Sequence, residues 1–478
     1  MDSASLQFIL FGLAVAMMTH LGGSARWRAT TLLLASLVFL AAIAPRIATL
    51  IPLLGFLALG YAAMVAATRP WRHSVTAGVI AIVLSYAWLK KYTFLPVDVF
   101  LASPYLTLGL SYIFFRVLHL VIESGGDDSR PPVSPASYLL FNLNFLTFVS
   151  GPIQRYEDFS RDVSADPPAP LTPSVVGLQV ARIIRGYFKV NVLAMIIDSV
   201  RVASLADLAH PLPLSGQLIA ASLVCLSYPF FLYCNFSGYI DIVIALARLM
   251  RLRLPENFDR PFSATSFIDF WNRWHITLST WLKTYVYNPL LLGLMRRVPS
   301  AGAAQYLGVI SFFATFFLIG IWHGRTSEYA VFGVLQGGGV AVNKLWQIQL
   351  GRRLGRKRYQ RLASDARYAF FARGLTFTWF AFTLFWFWAS WPEIGRIVGA
   401  LRPALWAAAW LAIWLIAATA LGAWNWAFHR FLAAREEGTP ILTHRHVRTA
   451  FASALALISF IVVELLNQPA PGIIYKAF

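Results

Sequence analysis

The chain has 478 residues, of which 58% are hydrophobic and 15% aromatic, while only 13% are Asp, Glu, Lys or Arg. A water-soluble domain carries about 25% charged residues, so half the usual polar cover is missing and most of the surface must face something other than water. Forty Lys and Arg against 21 Asp and Glu leave a net charge of +19; with no long polar domain to hold a nucleic-acid footprint, the excess reads as basic loops on the cytoplasmic side of a membrane.

Taken in chain order, the stretches that reach or approach the roughly 20 apolar residues of a membrane span cover residues 6–21, 30–44, 47–67, 75–89, 99–122 and 138–149. They continue at 175–200, 214–247, 306–322, 329–342, 368–388, 405–420 and 450–466. The first lacks a basic region before it and a small-residue cleavage site after it, which makes it a first transmembrane helix rather than a removed signal peptide. The predicted fold class is an all-α polytopic membrane protein with about 11 to 13 membrane-embedded helices. Their uneven lengths point to some being tilted, broken or re-entrant. One polytopic domain over residues 1–478 is the simplest partition.

Basic clusters punctuate the spans at Arg26/Arg28, Arg69/Arg72, Lys90/Lys91 and Arg248/Arg251/Arg253, and most densely in GRRLGRKRYQR at residues 351–361. The positive-inside rule places that last run in the cytoplasm. Beyond orientation and attraction to anionic lipid, it would suit an acidic carrier protein or the phosphates of coenzyme A. The Asp- and Pro-rich segment 158–173 reads as a connector. The cysteines, Cys225 and Cys234, are too few for a disulfide framework or a cysteine zinc site and read as small buried hydrophobes.

Ionisable residues within membrane segments are functional candidates by default, and two places hold them. In residues 255–289, Ser266 is placed to cap a helix with Asp269 three residues on, and Phe270, Trp271, Trp274, Leu278, Trp281, Leu282 and Tyr285 recur at helical spacing. Asp269 and Arg273 are four apart and can pair. The pattern predicts one amphipathic helix at or dipping into the membrane interface, with His275 on it as either an interfacial or a functional histidine. In residues 306–342, an uncharged run ends at His323, followed by the polar interruption from Arg325 to Glu328. His323 reads as a general base, a packing residue or a metal or haem ligand. The GxxxG spacing of Gly333 and Gly337 is that of close helix packing.

At these segments the sequence resembles the membrane-bound O-acyltransferases, in particular the bacterial branch that O-acetylates alginate or passes D-alanine to teichoic acids. The resemblance is dense over residues 144–343 and rests on SGPIQRYEDF at 150–159, FSGYIDI at 236–242, LPENFDRPF at 254–262, DFWNRWHITLSTW at 269–281 and GIWHG at 320–324. PAPGIIYKAF at 469–478 is similar to the aromatic ending of that branch.

The resemblance implies a ring of tilted helices around a central funnel and tunnel, with His323 matching the family's invariant histidine and His275 its second motif histidine. It implies acyl transfer from a cytoplasmic thioester, acetyl-coenzyme A or an acyl-carrier protein, to a hydroxyl of an exported polysaccharide or cell-envelope glycan, directly or through a periplasmic or carrier-protein partner. No tightly bound cofactor and no metal are implied. His323 would act as the base, with Asn272, Arg273, Trp274, His275, Trp322, Arg325 and Asn235 as candidates to position substrate or stabilise charge. The chain departs from the branch at Arg325 and Ser327 after the tryptophan-histidine-glycine signature, at Leu335-Gln336-Gly337 where the family has tyrosine-histidine-glycine, and at Asn235 where an aspartate is common. These departures predict more polar and more positive surroundings for His323, with Arg325 meeting an anionic group of donor or acceptor. A D-alanyl-type transferase and, from another class, a transporter or flippase using broken helices near residues 236–242 are the competing expectations.

Overall fold

The computed structural model describes residues 5–69, 71, 73–101, 105–126, 132–432 and 445–466; Arg72, His444 and the closing segment 469–478 lie outside them. The described residues form an all-helical protein, and among them seven helical stretches are long and apolar enough to cross a membrane. The chain makes two compact units, one built on Met1–Val190 and Asn235–Glu256, the other on Asn191–Cys234 and Asn257–Val462.

The first unit contains α1 (Leu6–Leu21), α2 (Ala25–Ile43), α3 (Ile51–Ala67), α4 (Ser74–Lys90), α5 (Leu110–Ser124), α6 (Pro135–Leu143), α7 (Tyr156–Ser164) and α8 (Pro173–Phe188). Two expected spans are shorter than their apolar runs: the stretch 99–122 becomes helical only at Leu110, and the stretch 138–149 leaves the helix after Leu143. The segment that follows, residues 144–154, is buried without being helical. Buried backbone of that kind needs partners, and the side chains of its neighbours supply them. Arg116 of α5 is fully buried and donates to the carbonyls of Phe141, Asn142 and Thr147. Ser36 Oγ accepts from Phe145 N at 3.2 Å, and Asn144 Oδ1 accepts from Leu146 N at 3.2 Å. The Phe8 ring meets Phe145 edge-on and the Phe39 ring meets it at a tilt, each with centroids 6.1 Å apart. The connector expected at 158–173 begins with helix instead, since α7 runs on to Ser164. Arg28 of α2 donates to the carbonyls of Val163 and Ala165 at its end.

The apolar run 175–200 is likewise not one helix. It is α8, a π-turn over Lys189–Ala194, and α9 (Met195–Asp207). By contrast α10 (Leu214–Leu249) is a single helix of 36 residues, and residues 236–242 lie in it without interruption, so the break expected there is absent. Its Gly238 instead permits close approach: a methyl at Gly186 would strike the Gly238 carbonyl, which is how α8 and this part of α10 come together.

The second unit carries α11 (Phe267–Arg273), α12 (Ile276–Leu282), α13 (Asn288–Arg297), α14 (Ala301–His323), α15 (Ser327–Leu354), α16 (Arg356–Ser364), α17 (Ala366–Thr383), α18 (Phe385–Trp388), α19 (Trp391–Gly399), α20 (Pro403–Ala427) and α21 (Arg445–Leu466). The helices α14 and α15 pack on a glycine seam, where a methyl at Gly320 would sit on the Gly333 backbone and one at Gly337 on the Phe313 carbonyl, so the GxxxG spacing does serve close packing. The basic run ends α15, crosses Gly355 at φ +76° and forms exposed α16. The next helix, α17, pairs with α20 through Phe377, Ala381, Ala417 and Leu421. Both cysteines are buried.

The role of Arg116 gives a direct test. Arg116→Met keeps the volume but leaves the three carbonyls at Phe141, Asn142 and Thr147 without their donor. Each such loss costs about 1–3 kcal/mol, so the detergent-solubilised variant should unfold several degrees below the wild type; an unchanged melting curve would refute this account of the buried segment.

Candidate functional site

The amphipathic helix expected across residues 266–285 starts as anticipated: Ser266 Oγ accepts from Asp269 N at 3.1 Å, and Asp269 pairs with Arg273 at 3.0 Å. It then breaks. Trp274 is extended, and His275 adopts left-handed backbone at φ +46° and ψ +52° before α12 begins. A non-glycine residue held there needs strong local support, and Asn257 of the PENF motif provides it. The Asn257 carbonyl accepts from Ile276 N at 3.0 Å, and its side-chain Oδ1 accepts from Thr277 N at 3.1 Å and Thr277 Oγ1 at 2.9 Å. Phe258 forms an antiparallel bridge with Trp274, and Asp259 N donates to the Arg273 carbonyl at 3.0 Å. The two motifs, far apart as sequence signals, therefore fold as one turn.

This turn also sets the histidine's tautomer. A backbone N–H must donate, so the atom facing Thr277 N is the amide oxygen of Asn257. His275 Nδ1 lies 3.2 Å from the same oxygen and so carries the proton, which leaves the lone pair on Nε2. In that state Nε2 of the buried imidazole is an acceptor and offers no second donor to an oxyanion.

The neighbours divide by role. Trp274 is buried in an aromatic stack, 5.6 Å from the Phe270 ring and 5.1 Å from those of Phe258 and Phe380. Arg273 pairs with Asp269 and, at 3.6 Å, with Asp259. Asn272 is exposed.

His323 ends α14 and is only 3% exposed. Aromatic rings surround it, with centroids 4.6 Å away for Trp322, 5.1 Å for Phe387 and 5.9 Å for Phe332. The turn to α15 follows at once, with Gly324 against the Tyr329 ring and Arg325 exposed. Ser327 Oγ accepts from Trp391 Nε1 at 2.8 Å, and Glu328 accepts from Trp391 N at 3.0 Å. Burial works against the Glu328 charge, yet hydrogen bonds from Thr326, its own backbone and Trp391 prevail and hold its carboxyl below the usual range.

The link between the two histidine-bearing segments is Trp271. Its indole donates to Gln336 Oε1 of α15 at 3.2 Å, and its ring meets that of Phe316 on α14 at 5.0 Å. Gln336 Nε2 in turn donates to Thr383 Oγ1 of α17 at 2.8 Å. This buried relay and the bracing amide of Asn257 are what residue-level reasoning did not single out. Gln336 was visible as a departure and Asn257 as part of a motif, but no spacing rule assigns either a partner. Asn235 is fully buried on α10 in the first unit. Among the described residues, no group of three His, Cys, Asp or Glu is placed to hold a metal ion.

Comparison with known proteins bears on this arrangement. The model of the membrane-bound O-acyltransferase family matches residues 83–387. A teichoic acid D-alanyltransferase of Streptococcus thermophilus is 32% identical over 240 residues, covering 50% of this chain and 57% of that one. A probable alginate O-acetylase of Pseudomonas fluorescens is 31% identical over 239 residues, covering 50% and 45%. A peptidoglycan O-acetyltransferase of Helicobacter pylori is 32% identical over 210 residues, covering 44% and 37%. The match thus spans about half the length of these curated relatives or less. With both histidine motifs inside the matched residues and apolar helices long enough to cross a bilayer several times over, the chain is a multi-pass membrane protein that belongs to the membrane-bound O-acyltransferase family.

Proposed function

We propose that the protein is an O-acyltransferase of a bacterial cytoplasmic membrane, moving an acyl group, acetyl in the first instance, from a cytoplasmic thioester to a hydroxyl of an exported polysaccharide or cell-envelope glycan. The observation that carries this reading is His323, a buried histidine in an aromatic enclosure at the end of a membrane helix, within the family-matched residues. A hydroxyl is a poor nucleophile near neutral pH and needs a base. In the proposed step the acceptor oxygen attacks the thioester carbonyl carbon while His323 takes the hydroxyl proton. The tetrahedral oxyanion then collapses, the C–S bond breaks, and the imidazolium returns the proton to the departing thiolate. Ester and free thiol are the products, and no other co-reactant is needed. Enclosure by Trp322, Phe332 and Phe387 excludes water that would hydrolyse the thioester. His275, with Nδ1 engaged by Asn257, is an acceptor at Nε2 and therefore does not serve as a donor to the oxyanion.

The relatives named for D-alanyl transfer and those named for O-acetylation align over similar lengths, which supports a second reading in which the donor is an aminoacyl group on a carrier protein. A periplasmic partner that completes transfer to the glycan fits either reading.

Four measurements on membranes or purified protein test this. With a labelled acyl thioester, His323→Ala should lower transfer by about 10²–10⁴-fold; undiminished transfer would remove His323 as the base. Supplying acetyl-coenzyme A and a loaded carrier protein in parallel separates the two donors, since only one should be consumed. Asn257→Ala frees the His275 ring from its tautomer-setting partner and should lower kcat about tenfold or more in a variant that still elutes as folded protein; an unaltered kcat would show that this turn does not serve the chemistry. Arg325→Ala should raise the Michaelis constant of the donor or the acceptor with kcat little changed, and unchanged constants for both would dismiss an anion contact at Arg325.

A further inference from the structure

Arg373 lies two turns into α17, on a membrane-spanning stretch, and is only 8% exposed. Its Nε donates to the Ser263 carbonyl at 3.2 Å, and among the described residues no carboxylate lies within ion-pair reach of it. A buried guanidinium without a counter-ion is unfavourable unless something else meets it. The group opens onto a cavity of about 600 Å3 between the start of α17 and the end of α20. Arg373, His429, Arg430 and Asn425 line it on the polar side and Phe370 and Trp426 on the apolar side, and no acidic residue lines it among the described residues. The pocket is open on one side, and a methyl at Gly422 would lie in ordinary contact with the Phe370 ring and an Arg373 nitrogen, which places all three on one wall.

The cavity's position narrows its ligand. The pairing of α17 with α20 is antiparallel, with Phe382 against Trp410, Phe377 beside Ala417 and Leu421, and Phe370 by Gly422. The start of α17 follows directly on exposed α16, which carries the basic run assigned to the cytoplasmic side. Trp426 is 64% exposed beside the opening, as aromatic residues are at the level of lipid headgroups. We propose that this pocket binds the phosphate of an anionic glycerophospholipid from the cytoplasmic leaflet, with Arg373 and Arg430 on the phosphate, Asn425 on the adjoining ester or hydroxyl oxygens, and Phe370 and Trp426 along the first carbons of the chains. Arginine is the side chain best matched to phosphate oxygens, and the ligand supplies a negative charge that none of the described residues gives Arg373.

The full-length protein, delipidated in detergent and titrated with phosphatidylglycerol or phosphatidylcholine, tests this by native mass spectrometry. The wild type should retain phosphatidylglycerol several-fold over phosphatidylcholine. Arg373→Gln and Arg430→Gln should each reduce that preference, and the second, at an exposed position, keeps the test valid if the first fails to fold. Equal retention of the two lipids, or an undiminished preference in Arg430→Gln together with a folded Arg373→Gln, would overturn the proposal. Displacement of phosphatidylglycerol by millimolar inorganic phosphate would overturn the lipid assignment in favour of a soluble phosphate.

Discussion

Hydrocarbon offers no hydrogen bonds, so wherever this chain leaves a helix inside the protein, a neighbouring side chain has to satisfy the released backbone. Arg116 does this for the carbonyls around the buried segment 144–154, and Asn257 does it for the turn that separates α11 from α12. In each unit the irregular stretch coincides with a family motif, SGPIQRY in one and PENF with WNRWH in the other. The motifs are thus conspicuous partly because their residue types are tied to a backbone shape that only specific donors and acceptors can hold. The same turn also orients a side chain: the oxygen that anchors Thr277 N–H is the one that faces Nδ1 of His275.

Much of this was legible beforehand, and what was missed has a common cause. Hydropathy located most spans because length and apolarity suffice for that, and Ser266 announced its helix because capping is local chemistry. The break at Trp274–His275 was hidden because the bulky residues on both sides keep helical spacing, and the force that breaks the helix comes from Asn257, eighteen residues earlier than His275. The short helix after residue 135 was hidden for the same reason, since Phe145, Leu146 and Phe148 continue the apolar run although their backbone is held by Ser36, Asn144 and Arg116. The opposite error occurred at residues 236–242, where a glycine and polar residues look like a break. There Gly238 serves helix contact and Asp241 is neutralised by Lys189 at 2.8 Å and Arg182 at 2.9 Å, so the helix has no reason to end.

The fate of the positive charge follows the same logic. Arg182 also grips Glu256 through two bonds of 2.6–2.7 Å, and Arg185 reaches Asp241 at 3.3 Å. Three cations of the first unit are thereby accounted for by two carboxylates, and the α8–α10 contact is locked electrostatically as well as sterically. Arg273 is similarly occupied by Asp259 and Asp269. A cation so engaged serves first to hold its own segment in place.

That distinction bears on the departures from the family pattern near His323. Taken as residue types, Ser327, Gln336 and Arg325 make the surroundings of the histidine more polar and more positive. In the folded chain Ser327 accepts from the Trp391 indole, and Gln336 accepts from Trp271 while donating to Thr383. Both are bound to the protein's own aromatic and hydroxyl groups, and their effect is to fasten α15 to α19, α11 and α17. The rings of Trp322, Phe332 and Phe387 still give His323 an apolar enclosure. Of these three departures, the one that adds a full charge at the turn beside His323 is Arg325, on the exposed side. If this chain differs from its relatives in the charge it presents beside His323, the difference therefore stands at Arg325 on the exposed side and not among the rings that enclose the histidine.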